Sequence, residues 1–235
     1  MRQLKMVWKS EDYSGCDFEL PDGFHITFLH IEDVDKWCAL CTPLTGEKWT
    51  NTQFQKNMIK SPLFSLNYER IFCIYETKTN RLVSTASACF NPVDKTGNLH
   101  MVMTDNEYRG KGLGKTVCIE ALNCFYSNNI EQVTLFTDDD RIPAIKMYLK
   151  LGFMPCLYYY DMYSRWMNIT HQINPDFNVF AFDYNNNKVC INHFTDISES
   201  NCKLYKEGFF KRISIWYYFI SKRIKRKLSR MFRTL

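Results

Sequence analysis

Apolar and polar positions change period several times along the chain, and each change marks an element. Residues 4–8 and 23–29 read as short strands, around the turn-rich stretch SGCDFELPDG. Ile31, Val34, Trp37, Cys38 and Cys41 then recur at helical spacing, with acids in the first turn. A second helix is predicted over 52–59, closed by Ser61-Pro62. Two β-rich runs, 70–76 and 82–90, flank a short polar stretch and read as a hairpin, and a further strand covers 99–104. After a glycine cluster, Leu113, Val117, Ala121, Leu122 and Phe125 give an amphipathic helix that Asn128-Asn129 stops. A strand at 133–137 leads into DDDRIP, where Asp140 can cap a helix and Pro143 fits its first turn. That helix carries Ala144, Ile145, Tyr148 and Leu151 and ends at Gly152, a usual left-handed stop. Residues 153–162 are aromatic and read as a strand, and 174–194 as a hairpin around Asn185–Asn187. Strands alternating with helices in this order imply an α/β (α+β) chain with a mixed sheet.

Toward the C-terminus the pattern changes character. Ile213, Tyr217, Ile220, Ile224, Leu228 and Met231 fall three or four apart, the apolar stripe of one more helix. Residues 211–233 also hold nine Lys and Arg, and no acid follows Glu207. The first 210 residues carry 21 basic and 25 acidic groups, so the overall +5 belongs to the tail. A mildly acidic body gives no reason to expect nucleic acid as main partner. A basic amphipathic helix with aromatics at one end suits an anionic membrane surface; RNA and a protein interface are the alternatives.

Composition narrows the class further. With 46% hydrophobic and 16% aromatic residues among 235, the chain can build a core. Its longest apolar run near the C-terminus, 213–220, is far short of the roughly 20 residues of a membrane span. The first 15 residues lack the apolar region of a signal peptide, so the expected location is cytoplasmic, with the tail able to place the protein on the inner membrane face. Ten cysteines then read as reduced thiols. Cys38/Cys41 and Cys190/His193 have metal-ligand spacing, but lie far apart in sequence, and burial as small apolar groups is the simpler account. No metal is expected.

The glycine cluster YRGKGLGK follows a strand and opens a helix. Backbone N–H groups of such a turn, together with the helix dipole, can cradle a phosphate or pyrophosphate. The Rossmann pattern fails because Lys115 stands where its last glycine belongs. Gly114-Lys115-Thr116 supplies the end of a P-loop, but its first glycine falls on Arg109. Arg109-Gly110-Lys111-Gly112-Leu113-Gly114 matches R/Q-x-x-G-x-G/A instead, and so resembles the acetyl-CoA loop of the GNAT superfamily of N-acetyltransferases. The preceding LHMVMTDNEY is similar to that family's fourth strand. Downstream, the stretch from Thr137 through Arg141, Tyr148 and Gly152-Phe153 resembles its later motif. The resemblance is strongest over 98–155. Two departures are Asn106, where the family often has Pro, and Arg141, where it often has Asn.

This resemblance implies a mixed, mostly antiparallel central sheet flanked by helices, here followed by a C-terminal basic helical appendage. The chain is expected to divide into an acetyltransferase-like domain at 1–170 and, outside the resemblance, a hairpin-like linker at 171–207 and a tail at 208–235. The resemblance also implies that acetyl-CoA is the co-substrate. Val102, Met103, Thr104, Arg109, Gly110, Lys111, Gly112, Leu113, Gly114 and Lys115 would hold it, and Arg141 could add a phosphate contact or a helix-start salt bridge. Tyr148 stands where the family keeps a general acid for the departing sulfur, and a strand N–H near Met103 or Thr104 would face the thioester oxygen. Strict alternation places Asn98, His100, Val102 and Thr104 on one face, which makes His100 a candidate base unless a bulge changes the parity. Cys118 and Cys124 lack a paired base and read as core rather than as nucleophiles. The acceptor would be a small-molecule or peptide amine, chosen by residues near 37–64 and 158–166. A non-catalytic CoA-binding or membrane-associated scaffold of the same fold is the rival reading.

Overall fold

A computed structural model describes residues 2–61, 66–91, 93–159, 161–173, 180–183 and 188–190. The strands are β1 (Leu4–Lys9), β2 (Phe24–Phe28), β3 (Ile71–Glu76), β4 (Arg81–Asn91), β5 (Thr96–Thr104), β6 (Gln132–Thr137), β7 (Met154–Cys156), β8 (Phe180–Phe182) and β9 (Lys188–Cys190). The helices are α1 (Val34–Thr45), α2 (Asn51–Phe54), α3 (Leu113–Ser127), α4 (Ile142–Lys150) and α5 (Met162–Ile173), with α2 continuing as a π-helical stretch, Gln55–Ile59. Contacts group Met1–Val189 into one compact unit. The basic stripe at 211–233 lies outside the described residues.

The strands form one sheet in the order β2-β3-β4-β5-β6-β1-β7-β8-β9. Pairing is antiparallel from β2 to β5 and on both sides of β1, and parallel between β5 and β6 and between β7 and β8. The sheet is therefore mixed and mostly antiparallel, with helices packed on it. β1 pairs β6 over its full length, Leu4 to Lys9 against Thr137 to Gln132, so the first strand sits deep in the sheet.

Successive residues of a strand face opposite sides, and here the two sides meet different helices. Cys73, Tyr75 and Cys89 join a buried cluster with Trp37 and Cys41 of α1 and Phe54 of α2. Trp37 packs edge-on against both Phe54 and Trp49, at 5.0 and 5.1 Å between ring centres. Phe90, next to Cys89, turns the other way and meets Phe125 of α3 at 5.7 Å. Gly97 lies beneath the same ring: a Cβ there would stand 2.5 Å from Phe125 Cε1.

Several local expectations shift. Residues 153–162 are not one strand: β7 is three residues long, and Met162 begins α5, whose buried Met162, Trp166 and Ile169 have helical spacing. Asp140 does not cap α4. Arg141 holds the N-cap position without a side-chain cap bond, and Pro143 sits in the first turn as expected. Gly152 adopts φ +88° just past α4, the left-handed stop anticipated for it. β5 begins three residues earlier than its hydrophobic run suggested, because Thr96 and Gly97 pair with both neighbours.

The Gly97–Phe125 approach yields a stability test. Gly97→Ala should lower unfolding free energy by about 1–3 kcal/mol, the usual size of overpacking in a close-packed interior. Denaturant titration checks it; an unchanged midpoint would mean that the ring yields freely.

Candidate active site

β5 and β6 are hydrogen-bonded neighbours only where Thr96–Asn98 faces Gln132–Thr134. Beyond that point β5 runs on to Thr104 and β6 to Thr137 without pairing, so the sheet opens into a wedge. The cleft has a volume of about 1270 Å³. A bulge accompanies the parting: Ser87 pairs with His100 but Thr85 with Met103, and Met101 has φ +50°. One extra residue in β5 changes the alternation. His100 therefore shares a face with Met103, and Thr104 turns to the α3 side, where its Oγ1 meets Ser84 Oγ at 2.8 Å. The single-face row from Asn98 to Thr104 expected from strict alternation is broken at the bulge. Backbone groups alternate as well. Asp105 N donates to Val83 O and Ser84 Oγ to Met103 O, so Met103 is turned toward β4, while the N–H groups of Val102 and Thr104 face the wedge.

The glycine loop closes one end of this cleft. Gly110 and Gly112 both have φ +81°, a conformation that strains other residues, and a Cβ at either would meet open space. Gly114 has a different reason: a Cβ there would lie 2.9 Å from Thr104 Oγ1, so its absence lets α3 start hard against β5. Thr116 N is the first to bond within the helix, to Gly112 O at 3.0 Å. The N–H groups of Leu113, Gly114 and Lys115 are left for an anion at the positive end of α3. Arg81 holds the approach to the loop through Asp105 at 2.7 Å and Glu107 at 2.9 Å. Asp105 Oδ1 in turn accepts from Glu107 N.

Positive side chains ring the cleft. Arg109, Lys115, Arg141, Lys146 and Lys150 line it and are exposed, against the single carboxylate of Asp140. Arg141 forms the helix-start salt bridge, with Asp138 at 3.1 Å, and remains on the rim. Lys111 does not line the cleft; its ammonium lies over the Tyr108 and Phe24 rings, 4.9 and 5.5 Å from their centres. Free backbone donors, a helix N-terminus and surplus cations suit a pyrophosphate and further phosphate, which is the anionic half of coenzyme A.

Tyr148 and His100 line the same cleft. Tyr148 of α4 is buried, with its ring edge-on to Phe153. Burial first, then the neighbouring Cys118, hold its phenol well above the ordinary tyrosine range, so it stays protonated. His100 is half-buried, and desolvation lowers its imidazole to about 4. It is a neutral proton acceptor at neutral pH. The thiols of Cys118 and Cys124 are pushed up by burial, Cys124 to about 11, which keeps both as thiols at neutral pH. Cys38 and Cys41 are buried in the α1 cluster.

A sequence model of the acetyltransferase (GNAT) family matches residues 31–153, more than half the chain. The chain belongs to that family. It is 26% identical over 145 residues to a mycothiol acetyltransferase of Thermobispora bispora, covering 57% of this chain and 48% of that one. It is 30% identical over 112 residues to glucosamine 6-phosphate N-acetyltransferase 1 of Dictyostelium discoideum, covering 45% and 70%. The chain spans about half the length of that mycothiol acetyltransferase and of another that it matches. Its fold is shared with a GCN5-related N-acetyltransferase of Sphaerobacter thermophilus, with TM-score 0.55 at 18% identity over 66% of this chain and 49% of that one.

Sequence reasoning allowed for a bulge without placing it, and missed the Arg81 bracket and the position of Asn98 at the last β5–β6 pair. A non-glycine residue at positive φ carries no signal in the letters around Met101. Arg81 and Asp105 lie 24 residues apart, and only the hairpin brings them together.

The lowered His100 value has a direct consequence. Its folded pKa lies below the unfolded value near 6.5, so protonation favours the unfolded chain. Stability should fall as pH drops from about 6.5 toward 4, and His100→Gln should flatten that part of the profile. Chemical unfolding at stepped pH measures the slope; equal slopes in both proteins would remove His100 as its source.

Proposed function

We propose that this protein moves acetyl from acetyl-CoA to a primary amine by direct attack in a ternary complex. The observation that carries the reading is convergence: the α3 N-terminus, the cationic rim, Tyr148 and His100 all border the wedge between β5 and β6. In this reading the loop from Arg109 to Lys115 holds the pyrophosphate. Lys111 contributes its backbone, and Arg141 takes a phosphate at the rim. The names of the matched mycothiol and glucosamine 6-phosphate acetyltransferases support a small-molecule amine as acceptor.

Acetyl transfer forms a C–N bond and breaks a C–S bond. Aligning the two reactants in one wedge removes much of the entropic barrier to their encounter. The N–H groups of Val102 and Thr104 face the side from which the thioester oxygen would be stabilised as charge develops on it. Tyr148 keeps its proton through the neutral range and acts as donor to the departing sulfur. His100, neutral and weakly basic, suits taking a proton from the nitrogen after the C–N bond has formed, when that nitrogen has become acidic.

The test is release of free thiol from acetyl-CoA in the presence of a panel of amines. Tyr148→Phe should lower turnover about tenfold or more, toward the 10² to 10⁴ typical of acid catalysis, with acetyl-CoA affinity unchanged by calorimetry. Acetyl-CoA binding in the wild type without turnover of any amine would favour the non-catalytic scaffold. Undiminished turnover in the variant, with chemistry rate-limiting, would reduce Tyr148 to packing.

A further inference from the structure

A second cavity of about 930 Å³, within the roughly 300–1,000 Å³ of small-molecule sites, opens on the sheet where β5 and β6 are still paired. Asn98 lines both this cavity and the wedge, so the two meet at the last β5–β6 pair. Gly97 faces Phe125 of α3, which places Thr96, Asn98 and His100 together on the opposite, α1 side of β5. A row of three side chains thus leads from the cavity to the imidazole proposed to accept the amine proton.

Hydrogen bonding fixes the orientation of the middle one. Thr134 Oγ1 donates to Gly97 O at 3.3 Å, so that oxygen can only accept from Asn98, whose Nδ2 lies 3.2 Å away. Asn98 Oδ1 is therefore turned away from Thr134, as an acceptor at the junction. The chemistry of the two cavities differs. The wedge is ringed by five cations. The second cavity carries Lys60, Arg70 and Asp94, of which Arg70 bonds Phe90 O and stacks 3.8 Å from the Phe90 ring centre, while Asp94 accepts from Asn91. Its remaining polar lining includes the amides of Asn67 and Gln132 and the hydroxyl of Thr96, none bonded to another described side chain. Paired donors and acceptors of uncharged type match hydroxyl groups, each of which both gives and takes a hydrogen bond.

Resting on the acetyl-transfer reading above, we infer that this cavity is the acceptor subsite and that it takes a polyhydroxylated primary amine of the amino-sugar class. The ring hydroxyls lie against Asn67, Thr96 and Gln132. The amine reaches past the vertex of the wedge, donating an N–H to Asn98 Oδ1 beside His100. Asn98 is a specificity-determining residue in this arrangement, and the anionic coenzyme is kept to the cationic cleft.

The test has an arm that does not need turnover. D-glucosamine binding to the full chain, measured by calorimetry without CoA, should be weakened at least tenfold in Asn98→Leu and in Gln132→Leu, with circular dichroism and acetyl-CoA affinity unchanged. In the coupled assay, D-glucosamine should exceed a simple alkylamine of the same size at least tenfold in kcat/KM. Asn98→Leu should raise KM for the sugar while leaving KM for acetyl-CoA as it was. Sugar binding with this mutational pattern but no acetylation would support the subsite and contradict the proposed function. Acetylation that favours alkylamines or peptides, or sugar binding indifferent to both substitutions, would overturn the subsite and leave acetyl transfer standing.

Discussion

The structure depends on one unsatisfied edge. β5 and β6 run parallel and begin as partners, but they part after Asn98 and Thr134, and the backbone groups beyond face each other across a gap. Buried backbone donors and acceptors are almost always paired, so an opened sheet is either solvated or built to be completed by a ligand. The bulge at Met101 contributes to the parting. It bends β5 while β4 still holds it through Thr104, so the strand leaves β6 without leaving the sheet.

Much else serves to hold that gap in place. α3 rests on β4 and β5 through Phe125, packed over Gly97 and Phe90, and through Gly114, where the helix touches Thr104. These contacts aim the N-terminus of α3 at the mouth of the wedge. β1 lies along β6 on its far side for six residues and braces the strand that β5 has abandoned. Arg81 ties β4 to the turn before the glycine loop. Exposed ion pairs of this kind add little to stability, so the bracket matters for where it fixes the loop.

Much of this was legible in the letters because it rests on local rules. Spacing of Leu113, Val117, Ala121 and Phe125 marks α3, the Lys78–Arg81 region marks the hairpin, and Gly152 marks the end of α4. The RGKGLG loop and Tyr148 could be placed on their elements for the same reason. What stayed hidden is long-range. Alternation predicted one row from Asn98 to Thr104, and a single residue at φ +50° divides it, setting Met103 beside His100 and turning Thr104 to the other face. Residues 153–162 resemble a strand in composition, yet only Met154–Cys156 is strand, and the helical spacing of Met162, Trp166 and Ile169 starts α5 at the segment's end. The deep position of β1 follows from pairing across more than a hundred residues, which no local pattern encodes.

Amide hydrogen exchange with and without CoA tests most directly the claim that the parted strands and the α3 N-terminus form one binding site. Protection is predicted at Leu113, Gly114 and Lys115 and also at Val102 and Thr104, whose N–H groups face the wedge, with little change along β2 and β3. Protection confined to other surfaces, or absent from β5 while the loop is protected, would contradict the account.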